Sequence, residues 1–581
     1  MVWTTLTEGL REALRVTGLE EPGRLDRLEL AIPRDPSHGD WTTNLALGLA
    51  REVGRPPRAI AEQLAGGFPV DAAIFATPEV AGPGFLNFRY SESFVASLAA
   101  HIRREAEQFG TSRFGAGETV IVEYVSANPT GPLNVVSARA AAVGATLVRL
   151  LNATGHAAVG EFYVNDAGNQ VELLGESLAS RFAERIGVER PLPEQGYQGE
   201  YVRELAAQLP EAPARAALAA TNGSSWFRDQ ALTHMLAWQQ RDLSDYGAEF
   251  ARWFRETELH RSGAVADTLS ALEARGMIYR ARQSEAGSAE RGHEADEEVE
   301  ERGDATFVRS SGFGDDQDRV VVKSSGATTY LLPDIAYHRD KHARGFRHAI
   351  DLWGPDHHGY IPRMKASLQA LGLAPDFLEV LIVQQVNLLA AGQPVKMSKR
   401  AGEFVTLRDL MDDVGADCAK FFFLMRSTSA HLDFDLDLAK QQNDENPAYY
   451  VQYAHARIAS LLRFADERGH AMPALEAGPA PVTVELAAEE RTLLRKLAAF
   501  PEVVRGAAAT REPHRIPTYL HETAAEFHRF YHHCRVVSDD RVLTAQRLAV
   551  CEATRRVLAN GLALLGVTAP DRMARAEAED A

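Results

Sequence analysis

Residues 119–151, TVIVEYVSANPTGPLNVVSARAAAVGATLVRLL, constrain the fold more than any other stretch of the chain. A β-branched run over 119–125 enters a Pro/Gly turn at 128–132 and leaves it as a helical stretch beginning near Leu133. That is the strand–turn–helix opening of a Rossmann-type unit. Further strand-like runs at 161–164, 318–323, 349–353 and 378–384 alternate with helical periodicity, the pattern of a parallel sheet covered on both faces.

The remainder divides around this unit. Residues 1–115 predict a separate α+β domain, with helical periodicity over 6–16 and 45–53 and a Gly-Pro-Gly turn ahead of Phe85-Leu86-Asn87-Phe88. Residues 116–440 form the α/β domain, interrupted by a helix-rich insertion at about 171–280. A stretch at 284–304 carries nine acids against two arginines and predicts a solvated loop. Residues 441–581 carry apolar residues at three- and four-residue spacings and predict an all-α bundle with a frayed tail at 574–581.

Charge and cysteine content exclude some functions. A formal charge of −18 argues against indiscriminate coating of nucleic acid, although a local basic groove can still bind RNA. Cys418, Cys534 and Cys551 lie far apart without CxxC spacing, so neither a disulfide framework nor a zinc site is expected. His357 and His358 are adjacent and point apart, and no metal ligand set is read from them. The N-terminal residues lack a signal-type apolar core, and 18 consecutive apolar residues occur nowhere, so a cytoplasmic protein without a membrane segment is expected.

A second landmark is Val395-Lys396-Met397-Ser398-Lys399-Arg400 in a Gly-flanked loop. Two lysines three residues apart can follow phosphate charge as it develops, and the serine between them can donate a hydrogen bond. Four residues alone would be weak. Together with SANPTGPL some 260 residues earlier they resemble the class I aminoacyl-tRNA synthetases. The strings HGDWTTNLAL, AGPGFLNF, FYVNDAGNQ, YLLPDIAYHRDK, GPDHHGYIPRMKA, HLDFDLDLA, NPAYYVQYAHARI and LGVTAPDRM, in that order, narrow the resemblance to the arginyl-tRNA synthetase family from about His38 to Met573.

The resemblance implies ATP-dependent activation of L-arginine, with Mg²⁺, followed by transfer to tRNA(Arg), by a monomer. Glu123, Asn128, Tyr330 and Asp334 are expected to form the arginine pocket, with Asp166, Gln170 and Asp356 around it. Carboxylates suit the five-donor guanidinium. ATP is expected against Pro132, Asn134, Val136, Ser137, Lys396, Met397 and Lys399, with Lys396, Ser398, Lys399, Asn134 and Ser137 as the catalytic groups. The N-terminal domain is expected at the tRNA elbow and the bundle at the anticodon. There Tyr449, Gln452, Tyr453 and Arg457 recur on roughly one helical face, and His455, His532 and His533 are available to RNA. The aromatics read equally well as bundle core.

One short stretch departs from the family. Where it carries a His-Val-Gly-His signature, this chain has Asn134-Val135-Val136-Ser137. Loss of two imidazole donors to the triphosphate costs transition-state stabilisation, and a β-branched side chain in place of glycine intrudes where adenine lies. Two functions follow: an arginine–tRNA ligase with slowed adenylate formation, or a weak or inactive paralogue that binds arginine or tRNA.

Overall fold

The computed structural model describes residues 2–21, 23–24, 28–33, 35–282, 304–395, 405–475 and 485–573. The acidic stretch at 284–303, the residues Lys396, Met397, Ser398 and Lys399, and the tail at 574–581 lie outside the described residues. The N-terminal part folds as expected for α+β. A four-stranded antiparallel sheet, ordered Leu30–Ala31, Trp41–Thr43, Phe85–Phe88, Glu79–Ala81, is joined by helices that include Val2–Val16 and Leu45–Val53.

The central sheet begins with β1 (Thr119–Glu123), which crosses over through α1 (Val135–Ala153) to β2 (Ala157–Val164). Helices including α2 (Glu200–Gln208) and α3 (Gly223–Asp245) precede β3 (Arg252–Arg255). The chain later forms α4 (Leu331–Ala343), β4 (His348–Trp353) and β5 (Leu378–Ile382). All neighbouring strands are parallel, in the order β5-β4-β1-β2-β3. The order therefore reverses between β1 and β4, where open α/β sheets bind ligands at the carboxyl ends of their strands.

Two expectations need correction. The helical insertion does not extend from 171 to 280, because Arg252–Arg255 within it pairs with β2 as the sheet edge. Its sequence, RWFR, has the charge that edge strands carry and lacks an apolar run. The 318–323 run does form a strand, Arg319–Val322, but in a separate antiparallel sheet with Asp304–Val308 and Ile278–Arg282.

Side-chain alternation along β1 decides which face carries chemistry. Val120, Val122 and Tyr124 enter the core shared with α1, while Ile121 enters the one shared with α4; Glu123, two residues on, follows Ile121. Helix α1 lies so close to Tyr124 that a Cβ at Gly144 would stand 2.2 Å from its ring. Among the described residues α1 is the one helix long and apolar enough to cross a bilayer, and most of it is buried inside the protein. Beyond β5 come α5 (Leu407–Val414) and then the bundle, chiefly α6 (Pro447–Glu467), α7 (Arg515–His533) and α8 (Arg541–Leu565). Its core is continuous with the α1 face of the sheet.

Candidate active site

The turn that leaves β1 is strained. Val125 and Ser126 have φ of 69° and 37°, a region that side-chain-bearing residues rarely adopt, above all a β-branched one. The Ser126 N–H donates to the Tyr124 carbonyl (3.0 Å), closing a three-residue turn. Ser126 Oγ donates to Glu123 Oε1 (2.9 Å) and accepts the Tyr163 N–H (3.1 Å), so the strained backbone fixes one carboxylate oxygen. Further along, Gln239 of α3 donates to the carbonyls of Asn128 (3.2 Å) and Gly131 (2.9 Å), and Tyr201 of α2 donates to that of Thr130 (2.8 Å). The insertion thus clamps the turn from outside. Asn128 donates to Gln170 Oε1 at 2.8 Å, which brings two expected pocket residues together.

Three carboxylates stand level across the central strands: Glu161 opposite Glu123 and Asp351 opposite Glu123. Helix α4 and its C-cap residue Arg344 lay two cations over them. Lys341 Nζ donates to Glu123 Oε2 (2.6 Å) and Asp351 Oδ1 (2.9 Å), and Arg344 donates to both oxygens of Glu161 (2.6 and 2.8 Å). Tyr337 also donates to Glu161 (2.7 Å), and His338 Nε2 lies 2.8 Å from Asp351 Oδ2. Burial opposes the charge on Asp351, yet Lys341 and then His338 outweigh it and hold the carboxyl down at about 2. For Glu123 burial prevails over Lys341, and its carboxyl sits above the usual carboxylate range.

Asp334 projects from the first turn of α4 and accepts a hydrogen bond from Tyr360 (2.7 Å); burial pushes its carboxyl up to about 6. Burial, and then the nearby carboxylates of Glu256, Asp334 and Glu123, push the Tyr163 hydroxyl up, so three acids surround one phenol beside the β1 turn. Glu256 escaped the sequence reading. So did Glu161, Asp351, His338 and Lys341, although the i, i+4, i+7 spacing of Asp334, His338 and Lys341 marks one helix face. Tyr330 precedes α4 with its side chain largely exposed, 68% of its surface accessible. Asp166 is turned elsewhere: it accepts from the Thr257 N–H (3.0 Å) and hydroxyl (2.8 Å) in the helix Glu256–Ser262. Asp356 is exposed beside His357 Nδ1 (3.2 Å).

The start of α1 is closed on itself. Asn134 is its N-cap, with Oδ1 accepting from the Val136 N–H (3.0 Å), the Ser137 N–H (3.1 Å) and the Ser137 hydroxyl (3.3 Å). The amide donors with which a helix start greets an anion are therefore partly engaged by its own side chain. Pro132 and Val136 are half-buried at this end. Asn134 forms a β-bridge with Thr406, and the Leu407 N–H donates to the Leu133 carbonyl (2.7 Å). The chain just after the lysine motif thus rests on the helix start. One turn on, the buried Arg139 guanidinium donates to the carbonyls of Gln384 (2.8 Å) and Ser427 (2.9 Å). Burial lowers its pKa to about 10.

In the bundle Tyr449 is buried and stacks on Tyr453, centroids 5.8 Å apart. Gln452 donates to the Thr568 carbonyl (3.0 Å) and is occupied within the fold. His455 is buried against the Pro570 carbonyl (3.0 Å), which corrects the expectation that it faces RNA; His532 and His533 are exposed. Arg457 lies over the Tyr531 ring at 4.4 Å, and Tyr450 meets His521 and His528 at 5.0 and 5.1 Å. Tyr450, His521, His528 and Tyr531 are aromatic neighbours that the one-helix reading missed, since they join α6 to α7.

Residues 4–90 match the arginyl tRNA synthetase N terminal domain, residues 105–422 the catalytic domain of tRNA synthetases class I (R), and residues 451–573 the DALR anticodon binding domain. The chain is 43% identical over 571 residues to the arginine–tRNA ligase of Geobacillus kaustophilus and 41% identical over 571 residues to that of Bacillus subtilis, covering 98% of both chains in each case. Its fold is similar to the Thermus thermophilus arginyl-tRNA synthetase, with a TM-score of 0.74 at 22% identity, over 99% of this chain and 100% of the other.

Proposed function

The chain belongs to the class I arginyl-tRNA synthetases and ligates arginine to tRNA(Arg) with ATP; within that activity we propose that its adenylate-forming step is slow. The arginine carboxylate attacks the α-phosphorus of ATP, pyrophosphate leaves, and the terminal ribose hydroxyl of the tRNA then displaces AMP from the mixed anhydride. Mg²⁺ enters as the counter-ion of ATP. The acids Glu123, Asp334 and Glu256 offer the surplus negative charge that a guanidinium and an α-ammonium require. Asn128, paired with Gln170, shapes one side and Tyr330 closes the mouth, while Asp166 and Asp356 act at the periphery. Lys396 and Lys399, aided by Ser398 and the neighbouring Met397, follow the phosphates.

One observation carries the slow step. Asn134 Oδ1 occupies the first amides of α1, Ser137 is bonded back to it, and Val136 adds a branched side chain at the same end. A binding-only paralogue is the second reading, favoured by the same closure. In either case the N-terminal domain meets the tRNA elbow, and Tyr453, Arg457 and their aromatic neighbours meet the anticodon. The protein works as a monomer in the cytoplasm. ATP–pyrophosphate exchange measured with and without tRNA(Arg), beside arginine and tRNA binding, tests this. Weak exchange with both ligands bound is expected; exchange at an ordinary synthetase rate refutes the slow step, and no exchange at all selects the binding protein.

A further inference from the structure

Lys341 has no accessible surface, and burying an ammonium costs several kcal/mol unless every donor is used. Its Nζ spans Glu123 and Asp351 and lies 4.3 Å from the centre of the Tyr337 ring. The three level carboxylates are not equally served. Glu161 receives Arg344 on both oxygens and the Tyr337 hydroxyl; Asp351 receives Lys341 and has His338 beside it. Among the described residues Glu123 has Lys341 on one oxygen and only the Ser126 hydroxyl on the other. Strands in a sheet are about 4.8 Å apart, so Glu123 stands between two like charges. Lys341 is the cation bonded to it among the described residues.

We propose that Lys341 is a positioning residue of the arginine pocket: from between Glu123 and Asp351 it keeps the Glu123 carboxylate ionised and turned to the strained β1 turn, where a cationic substrate is held. This rests on Glu123 being a pocket carboxylate. The groups facing Glu123 are Lys341, His338, Tyr337 and Asp334 from α4, Asp351 from β4, and Glu161 and Tyr163 from β2; Glu256 acts from beyond Tyr163. Four are carboxylic acids, against one lysine and one histidine. Removing Lys341 therefore favours protonation of Glu123, which already lies above the usual carboxylate range.

The test is arginine binding to the full chain by calorimetry from pH 6 to pH 9, with thermal melting of each variant. Glu123→Gln should abolish measurable binding; binding equal to the unaltered protein would remove Glu123 from the pocket and overturn the proposal with it. Lys341→Gln should move the acid limb of arginine binding by about one unit to higher pH, so that affinity on that limb falls by up to about tenfold and recovers as the pH rises. Lys341→Gln with Asp351→Asn removes the competing carboxylate too and should return affinity to within about threefold, a coupling that a merely structural role would not produce. A folded Lys341→Gln protein that binds arginine like the unaltered chain at every pH overturns the proposal. Should that variant fail to fold, Asp351→Asn alone decides: with Lys341 left to Glu123, the acid limb of arginine binding must move to lower pH, and an unmoved limb is a refutation.

Discussion

The two ends of the β1 turn have been treated differently by the sequence. At the Glu123 end a strained backbone, three level carboxylates and the cations of α4 form a network in which each acid has a defined partner and a surplus of negative charge remains for a ligand. At the Asn134 end the polar groups satisfy one another, leaving a well-capped helix and little for a ligand to take. A pocket is made by groups held in place yet incompletely satisfied; a cap that completes its own hydrogen bonds is good for stability and poor for recognition.

The largest expected effect tests the closed end. The combined substitution Asn134→His, Val136→Gly and Ser137→His should raise ATP–pyrophosphate exchange by on the order of a hundredfold or more, the scale attached to restored transition-state donors. An unchanged rate would mean that the two ends do not differ in the way described. Next comes the open end. Asp334→Asn should weaken arginine binding by roughly thirtyfold or more in calorimetry, because a charge partner is lost from a desolvated site. A change smaller than about threefold would take Asp334 out of the pocket.

A smaller effect follows from pH. The Asp334 carboxyl titrates near 6, so at pH 7 it is mostly the anion that attracts a cation, and at pH 5 it is mostly neutral. Arginine affinity should therefore fall about tenfold from pH 7 to pH 5, with proton release on binding in between. A flat profile would refute this, and Asp334→Asn should flatten whatever part of the profile Asp334 carries. The smallest effect returns to the cap. Asn134→Ala should cost about 1 kcal/mol of stability and lower Tm by roughly 2 °C, leaving arginine affinity untouched.

Much of this was legible in the chain itself. The β-branched run and Pro/Gly turn located β1 and the start of α1 within two residues, because local propensity and tertiary role agree there. Asp334 and the Asn128–Gln170 pair were named from motifs that resemble a family. Strand β3 was missed because an edge strand of two aromatics flanked by arginines has no apolar run to declare it. Lys341 and His338 went unnamed, because only the register of three distant strands reveals the carboxylates beneath them. His455 was placed wrongly for the opposite reason, since its partner Pro570 lies more than a hundred residues away in sequence and comes from the chain after α8.

Arg139 has a further consequence. Its single guanidinium holds the carbonyls of Gln384 and Ser427, the two gateposts of a long excursion that contains the lysine motif. One side chain of α1 thus joins the two points at which that excursion leaves and returns. Hydrogen exchange should show the backbone amides flanking 385–426 losing protection together with those of α1, as one cooperative unit. Because the guanidinium is buried and bonded to neutral carbonyls, added salt should leave that opening free energy nearly unchanged.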